Sequence, residues 1–457
     1  MQFPSNAVSI LLIVVGLCGT VVGLRSHVFR GIGLATVAAM LIPTWDKVSL
    51  LGAEFDCRVL VAIGAAAVAT VFRPRWLFDR LVWADFVVAF LWIWQAFSEW
   101  NATGDVVEPT LLSYGFWVLP YVVGRCSART LADLNWLAWA VTAVCIVIGI
   151  TTLVEFSAGI DLFQLIFGEK PSLKYHPDKL HRWGFVRSEG PFTHPIFLGT
   201  IAMLMLPWLV WQIIASSGKR RIMAAFGSAA TVSAAITSIS RGPMLGVLLS
   251  LVIAAVIRFR KLMWATVAVS FVVVLLLLAK PDYVDDLTLW FSRSSGERER
   301  MVAFDGDLQV YTSSMSRVLV IRHYWDSVRH AGMLGYGMTA TDTFPPNVPY
   351  VPFEEVSRKQ YPIIDNSYLL LALRGGWILC LAFLLLHAAA IYQFHTTIKR
   401  HPELVSFGRL MIGAICAHAF VVFTVYPDYD FMFVFLWTVG VSSVQLHDGE
   451  EEVPERA

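Results

Sequence analysis

Apolar runs recur along almost the whole of this 457-residue chain, most of them close to the ~20 residues a helix needs to cross a ~30 Å hydrocarbon core. Lipid cannot satisfy open backbone N–H and C=O groups, so runs that cross must be helical. Composition agrees: 57% of residues are hydrophobic, 15% are charged and the mean hydropathy is +0.63, whereas a soluble domain carries about 25% charged residues. The fold class expected is an all-α polytopic membrane protein.

The runs predict spans at about 7–24, 30–44, 58–72, 81–98, 110–124, 133–155, 191–214, 222–239, 243–257, 262–279, 366–394, 404–425 and 429–446. The second and third are short enough to form one re-entrant pair, so the expected number is about 12 or 13 transmembrane helices. No basic stretch precedes the first run and no small-residue cleavage site follows it, so it reads as a retained helix. The chain is expected to be a single integral-membrane domain over 1–457, with no soluble domain at either end.

Lys and Arg set the orientation. Arg25 and Arg30; Arg73, Arg75 and Arg80; Arg125 and Arg129; Lys219, Arg220 and Arg221; Arg258, Arg260 and Lys261; and Lys399 and Arg400 fall in alternate loops. Those loops are assigned to the cytoplasm. With 13 spans, the N-terminus is then outside and the acidic tail from Asp448 is inside.

The long segment 280–365 contains basic residues, but long loops cross largely regardless of charge, so it is assigned outside as the one extramembrane subdomain. Its strongest predicted helix is 314–330, where Val318, Ile321, Trp325 and Val328 repeat at helical spacing. Arg322 is expected to pair with Asp326 one turn on. Gly332 stops the helix, and Gly335-Tyr336-Gly337 makes a tight turn.

The six cysteines lie in or beside apolar runs and imply neither a disulfide framework nor a metal site. His323 and His330 lack the spacing and third ligand expected of zinc. No phosphate-loop or dinucleotide signature occurs, so no cofactor, nucleotide or nucleic-acid partner is expected.

Three polar motifs end long apolar runs on the side assigned outside: Arg187-Ser188-Glu189-Gly190-Pro191-Phe192-Thr193-His194-Pro195, Ser240-Arg241-Gly242 and Asp365-Asn366-Ser367-Tyr368-Leu369. Such placement suits an anionic, lipid-linked substrate at the outer face. Together with the intervening loop and its Gly-x-Gly turn, and with Gly376 after them, the motifs resemble in order those of the bacterial O-antigen ligase and O-antigen polymerase superfamily. The resemblance covers roughly 185–385. One departure is Asp365, where ligases of the family carry a histidine; aspartate there looks more like the exopolysaccharide and polymerase branches.

The resemblance implies a membrane glycosyltransferase whose donor is a glycan carried on undecaprenyl pyrophosphate, and partners that include a flippase and a chain-length regulator. Arginine suits the diphosphate because its fork donates two parallel hydrogen bonds and stays charged. Arg187 and Arg241 are therefore the candidates for stabilising the leaving group; an arginine at a span end also snorkels to headgroups without any such role. Arg317 and Arg322 could extend the phosphate site, or lie on an exposed helix face. Asp365 is the candidate for deprotonating or orienting the acceptor hydroxyl, with a helix N-cap as the alternative. His194, Asn366 and Tyr336 complete the candidate substrate-binding set.

Two readings from other classes stand beside the enzyme: a transporter of a solute or of the lipid carrier, and a non-catalytic scaffold. Transporters usually place paired ionisable groups at the bilayer midplane. Here the deep runs are nearly free of acids, with Asp85 and His418 the main exceptions.

Overall fold

The computed structural model describes residues 28–50, 53–72, 81–168, 181–182, 184–259, 261, 282–294, 299–304, 307–312, 314–351, 363–444 and 446. The predicted spans at 7–24 and 262–279 lie outside them. The described chain is helical nearly throughout. In order come α1 (Val28–Ala39), a hairpin of β1 (Lys47–Leu50) and β2 (Ala53–Asp56), α2 (Cys57–Phe72) and α3 (Trp83–Thr103). Next is one helical run built from α4 (Val107–Ser113), a π-turn at Tyr114–Val118 and α5 (Leu119–Arg125). Then follow α6 (Leu131–Ala158), α7 (Leu162–Phe167), a two-residue ladder of β3 (His181–Arg182) and β4 (Phe185–Val186), α8 (Pro195–Ala215), α9 (Gly218–Thr237) and α10 (Arg241–Arg258).

The segment 280–365 holds α11 (Asp282–Ser294), the hairpin of β5 (Arg300–Phe304) and β6 (Asp307–Tyr311), α12 (Met315–Ala331) and the short α13 (Met338–Thr341). The chain closes with α14 (Ser367–Arg400), α15 (Val405–Val421) and α16 (Tyr429–Ser442). Among the described residues α6, α8, α10, α14 and the run Pro402–Thr424 are long and apolar enough to cross a membrane; α1, α2 and α16 are shorter apolar helices.

Position in the bundle follows from which faces are apolar. α8 and α16 are apolar all round and buried along almost their whole length, so they form the centre. α10 shows Met244, Leu245, Leu248 and Val252 outward, as a lipid-facing helix does, and packs its small residues on α15. Gly413 makes that approach possible: an added Cβ would collide with the carbonyl of Ser250. Buried polar groups tie down the ends assigned to the cytoplasm, with Asp85 accepting from Tyr121 Oη at 2.6 Å and from Arg125, and Arg30 bonded to Asp133 at 2.8 Å.

α14 is broken near its start. Gly375 and Gly376 leave helical geometry, Gly376 with φ 70°, which a residue with a Cβ adopts only under strain. The carbonyls freed by the break are taken up elsewhere: Leu373 O accepts from Tyr336 N at 2.7 Å, Arg374 O from Gly337 N at 2.9 Å, and Gly375 O from Trp94 Nε1 at 2.8 Å. The Gly-Tyr-Gly turn at 335–337 is thereby sewn onto the break, and Glu99 at the end of α3 completes the seam by accepting from Met338 N and Thr339 N.

Two sequence expectations for the loop are corrected. Arg322 does not pair with Asp326; it donates to both carboxylate oxygens of Asp285 on α11 at 2.8 and 2.9 Å, because packing α11 against α12 brings a better-placed carboxylate. The buried face of α12 is Leu319, Val320, Tyr324 and Val328, while Trp325 is exposed and meets Trp377 edge to face. The helix does stop at Gly332.

Candidate active site

Arg187 begins a segment that the bundle holds at every step. Ser188 N donates to Thr237 O at 3.0 Å and Ser188 Oγ to Thr152 O at 2.7 Å. The buried Glu155 carboxylate accepts from Glu189 N and Gly190 N, each at 3.0 Å. Thr193 donates through N and Oγ1 to Asp430 at 2.8 and 2.7 Å. His194 then caps α8 by accepting Ile196 N at Nδ1, and Pro195 occupies the first helical position, where its missing N–H costs nothing. The segment is thus fixed to the ends of α6, α9 and α16.

A second buried arginine lies beside it. Arg58 donates to Asp430 Oδ1 at 2.7 Å, to Ile42 O at 2.6 Å and to Pro191 O at 3.0 Å, with its guanidinium over the Phe192 ring. Arg58 and Asp430 are both sealed from solvent. A buried pair with all its partners in place is a structural fastener.

Arg187 is also buried, but its partners are neutral. Nη2 donates to Ser240 Oγ at 2.9 Å and Nε to Ser238 O at 3.2 Å, so it grips the turn that carries Arg241. Arg182 grips the same turn through Ile239 O at 2.8 Å. Ile239 sits at φ 44°, a costly conformation for a β-branched residue, of the kind that clusters at functional sites. Burial lowers the Arg187 pKa to about 10, and the nearby positive charges of Arg182 and Arg317 add to the shift while Glu189 opposes it. Positive charge has therefore been gathered here at an electrostatic cost.

The third motif borders the same turn through the link between α15 and α16. A Cβ on Gly242 would stand 3.0 Å from Thr424 Oγ1. Next along that link, Val425 O accepts from Ser367 Oγ at 2.6 Å. The following residue, Tyr426, donates its hydroxyl to Asp428 and feels the Asp365 carboxylate. Asp365 itself is exposed at the tip of a three-residue turn, Asn366 N bonding back to Ile364 O at 2.8 Å. Asn366, buried, is the N-cap of α14: its side chain accepts from Leu369 N at 3.0 Å. Asp365 is left facing outward.

Arg187, Arg182 and Arg317 thus gather at the turn that carries Arg241, the 424–428 link borders that turn at Thr424, and Asp365 acts on the same link at Tyr426. Burial and the neighbouring Asp430 carboxylate push the Asp428 pKa up to about 7. Of the remaining expected residues, Arg322 is engaged by Asp285, and Tyr336 serves the loop, donating its hydroxyl to Ser327 O at 2.8 Å. Arg58, Glu155, Arg182, Tyr426, Asp428 and Asp430 did not stand out in the sequence. Four are charges within or beside apolar runs, and a charge so placed demands a partner.

Comparison with known families gives one match: residues 226–384 fit the family model described as O-antigen ligase. The matched stretch takes in the Ser-Arg-Gly turn, the long segment 280–365 and the broken start of α14. No curated protein matches the chain.

Proposed function

We propose, from the O-antigen ligase and polymerase superfamily in which that match places the chain, that this membrane enzyme of glycosyl-transfer type polymerises or transfers a glycan carried on undecaprenyl pyrophosphate. It would work at the outer face of a bacterial inner membrane, in company with a flippase and a chain-length regulator. The observation that carries the reading is the gathering of Arg187, Arg182 and Arg317 at the Ser-Arg-Gly turn, next to the carboxylates Asp365 and Asp428.

A diphosphate leaving group brings two or more negative charges to this cluster of arginines and offsets the repulsion among them. As the bond from the anomeric carbon to the phosphate oxygen breaks, the guanidinium groups stabilise the charge left on that oxygen. The acceptor hydroxyl forms the new bond from the side of Asp365, which deprotonates or orients it. Aspartate at this position, in place of the histidine of the ligases, favours the polymerase branch over the ligase.

Arg187→Lys and Arg241→Lys each keep the charge but lose the fork. Activity in each should fall by about 10²-fold or more, read as polymer chain length in cells at equal membrane protein level. Near-normal polymer from both variants would reduce these arginines to membrane anchors and remove the reading. The assigned face has its own check: cysteines placed at the exposed Thr343 and Ser217 should label from opposite sides of intact cells, Thr343 from outside. Labelling of Thr343 only after permeabilisation would place the site in the cytoplasm.

A further inference from the structure

We propose that Tyr426 is a further catalytic residue, relaying the acceptor's proton to the Asp428 carboxylate while Asp365 orients the acceptor hydroxyl. The inference rests on the glycosyl-transfer reading above and assigns the step that reading leaves between two carboxylates.

Geometry singles out Asp428 among the acids at this end of the bundle. Asp430 is saturated by Arg58, by Thr44 Oγ1 and by both donors of Thr193, so it has no lone pair to offer. Asp428 holds one backbone donor, Asp430 N at 2.8 Å, and the Tyr426 hydroxyl. Tyr426 and Asp428 are both half-buried, unlike sealed Asp430. The phenol ring is held edge-on by Phe197 at 5.4 Å, the residue that also packs on His194. Its hydroxyl donates to Asp428 and lies within the field of Asp365.

The groups around the cluster decide how the proton can move. Arg58 faces it from α2, Asp430 from α16 and Asp365 from the turn before α14, while Asp56, at the end of β2, acts on the neighbouring Tyr429. Burial and the carboxylates Asp428, Asp365 and Asp430 together oppose a free phenolate at Tyr426. A stepwise loss of its proton is therefore disfavoured, and transfer is concerted: the acceptor's O–H proton passes to the phenol oxygen as the phenol proton passes to Asp428. The acceptor oxygen bonds to the anomeric carbon, and the diphosphate leaves with the electron pair of the broken bond. Asp428 must be ionised at the start, so the rate should rise as pH increases through about 7 and level off above it.

The test uses the full chain in liposomes, supplied with the undecaprenyl-diphosphate-linked glycan extracted from its own cells. Polymer formation is measured from pH 5.5 to 8.5, and binding of undecaprenyl diphosphate by the shift in thermal melting. Tyr426→Phe should slow polymer formation by roughly 10² to 10⁴ with undecaprenyl diphosphate binding unchanged. Asp428→Asn keeps the oxygen that accepts Asp430 N and so covers the case in which the phenylalanine variant fails to fold; its residual rate should lose the rise with pH. Asp365→Asn should be slower but keep that rise. A wild-type rate or an unaltered pH profile in both Tyr426→Phe and Asp428→Asn overturns the relay. If that occurs while Arg187→Lys still loses undecaprenyl diphosphate binding, only the relay falls; if the arginine variants also bind and polymerise normally, the glycosyl-transfer reading falls with it.

Discussion

Arg58 and Arg187 are both buried arginines at the same end of the bundle, and they are satisfied in opposite ways. Arg58 has a carboxylate at 2.7 Å and two carbonyls, and its charge is cancelled inside the protein. Arg187 has a hydroxyl and a carbonyl, with two more arginines near enough to lower its pKa. Burying a charge is expensive unless it is paired. Arg58 is therefore a charge whose partner the fold cannot lose without cost, whereas Arg187 is a buried charge with neutral hydrogen-bond partners, and positive charge so held suits an anion site. Burial alone would not have separated the two; the identity of their partners does.

The largest effect that could break this contrast is on folding. Asp430→Ala strips Arg58, Thr193 and Thr44 of their common acceptor and should cost about 3–5 kcal/mol, seen as loss of the protein from the membrane fraction. Arg187→Met leaves a hydroxyl and a carbonyl without their donor and the Glu189 carboxylate with Arg182 still close by, and should keep the protein folded while abolishing polymer. A stable Asp430→Ala variant, or a vanished Arg187→Met variant, would reverse the roles assigned to the pair.

A smaller effect sharpens the contrast at the segment both arginines touch. The Glu155 carboxylate accepts two buried backbone N–H groups, and hydrogen bonds to charged groups are worth about 1.5–3 kcal/mol. In Glu155→Gln one acceptor oxygen becomes a donor facing an N–H. Stability should fall by an amount in that range, read as a lower melting temperature, and activity should fall through displacement of Arg187 from the Ser240 turn. Unchanged melting would mean that the 187–190 segment is held well enough by Ser188 alone.

Legibility in the sequence followed the range of the interactions. Span positions and the stop at Gly332 depend on local pattern, and the described helices fall where the pattern put them. Partners did not follow from local pattern. Arg58 and Asp430 are 372 residues apart, and the seam between Glu99 and Thr339 spans 240. Nearness in sequence also misled: Asp326 is one turn from Arg322, yet Asp285, 37 residues away, holds it. Within the site, Arg187 and Arg241 could be named because they end apolar runs, whereas Tyr426 and Asp428 sit in a short link that carries no motif. Their signal was only that Asp428 and Asp430 stand together before an apolar helix, which reads equally as capping, and Asp428 does cap α16.

The smallest effect concerns the neighbours Asp365 and Asn366, which repeat the contrast in miniature. Either could cap α14 by residue type, since aspartate and asparagine cap about equally well. The side chain that accepts Leu369 N belongs to Asn366, at 3.0 Å, and Asp365 projects from the turn before it. Asn366→Ala should therefore cost about 1 kcal/mol of stability. That loss should be visible in thermal melting and should leave much of the polymer intact. Asp365→Ala should melt like the wild type and make little polymer, because what it loses is the group facing the acceptor. If instead Asp365→Ala lowers the melting temperature as much as Asn366→Ala and chain length is normal in both, Asp365 belongs to the fold and not to the reaction, and the acceptor side of the site reduces to Tyr426 and Asp428.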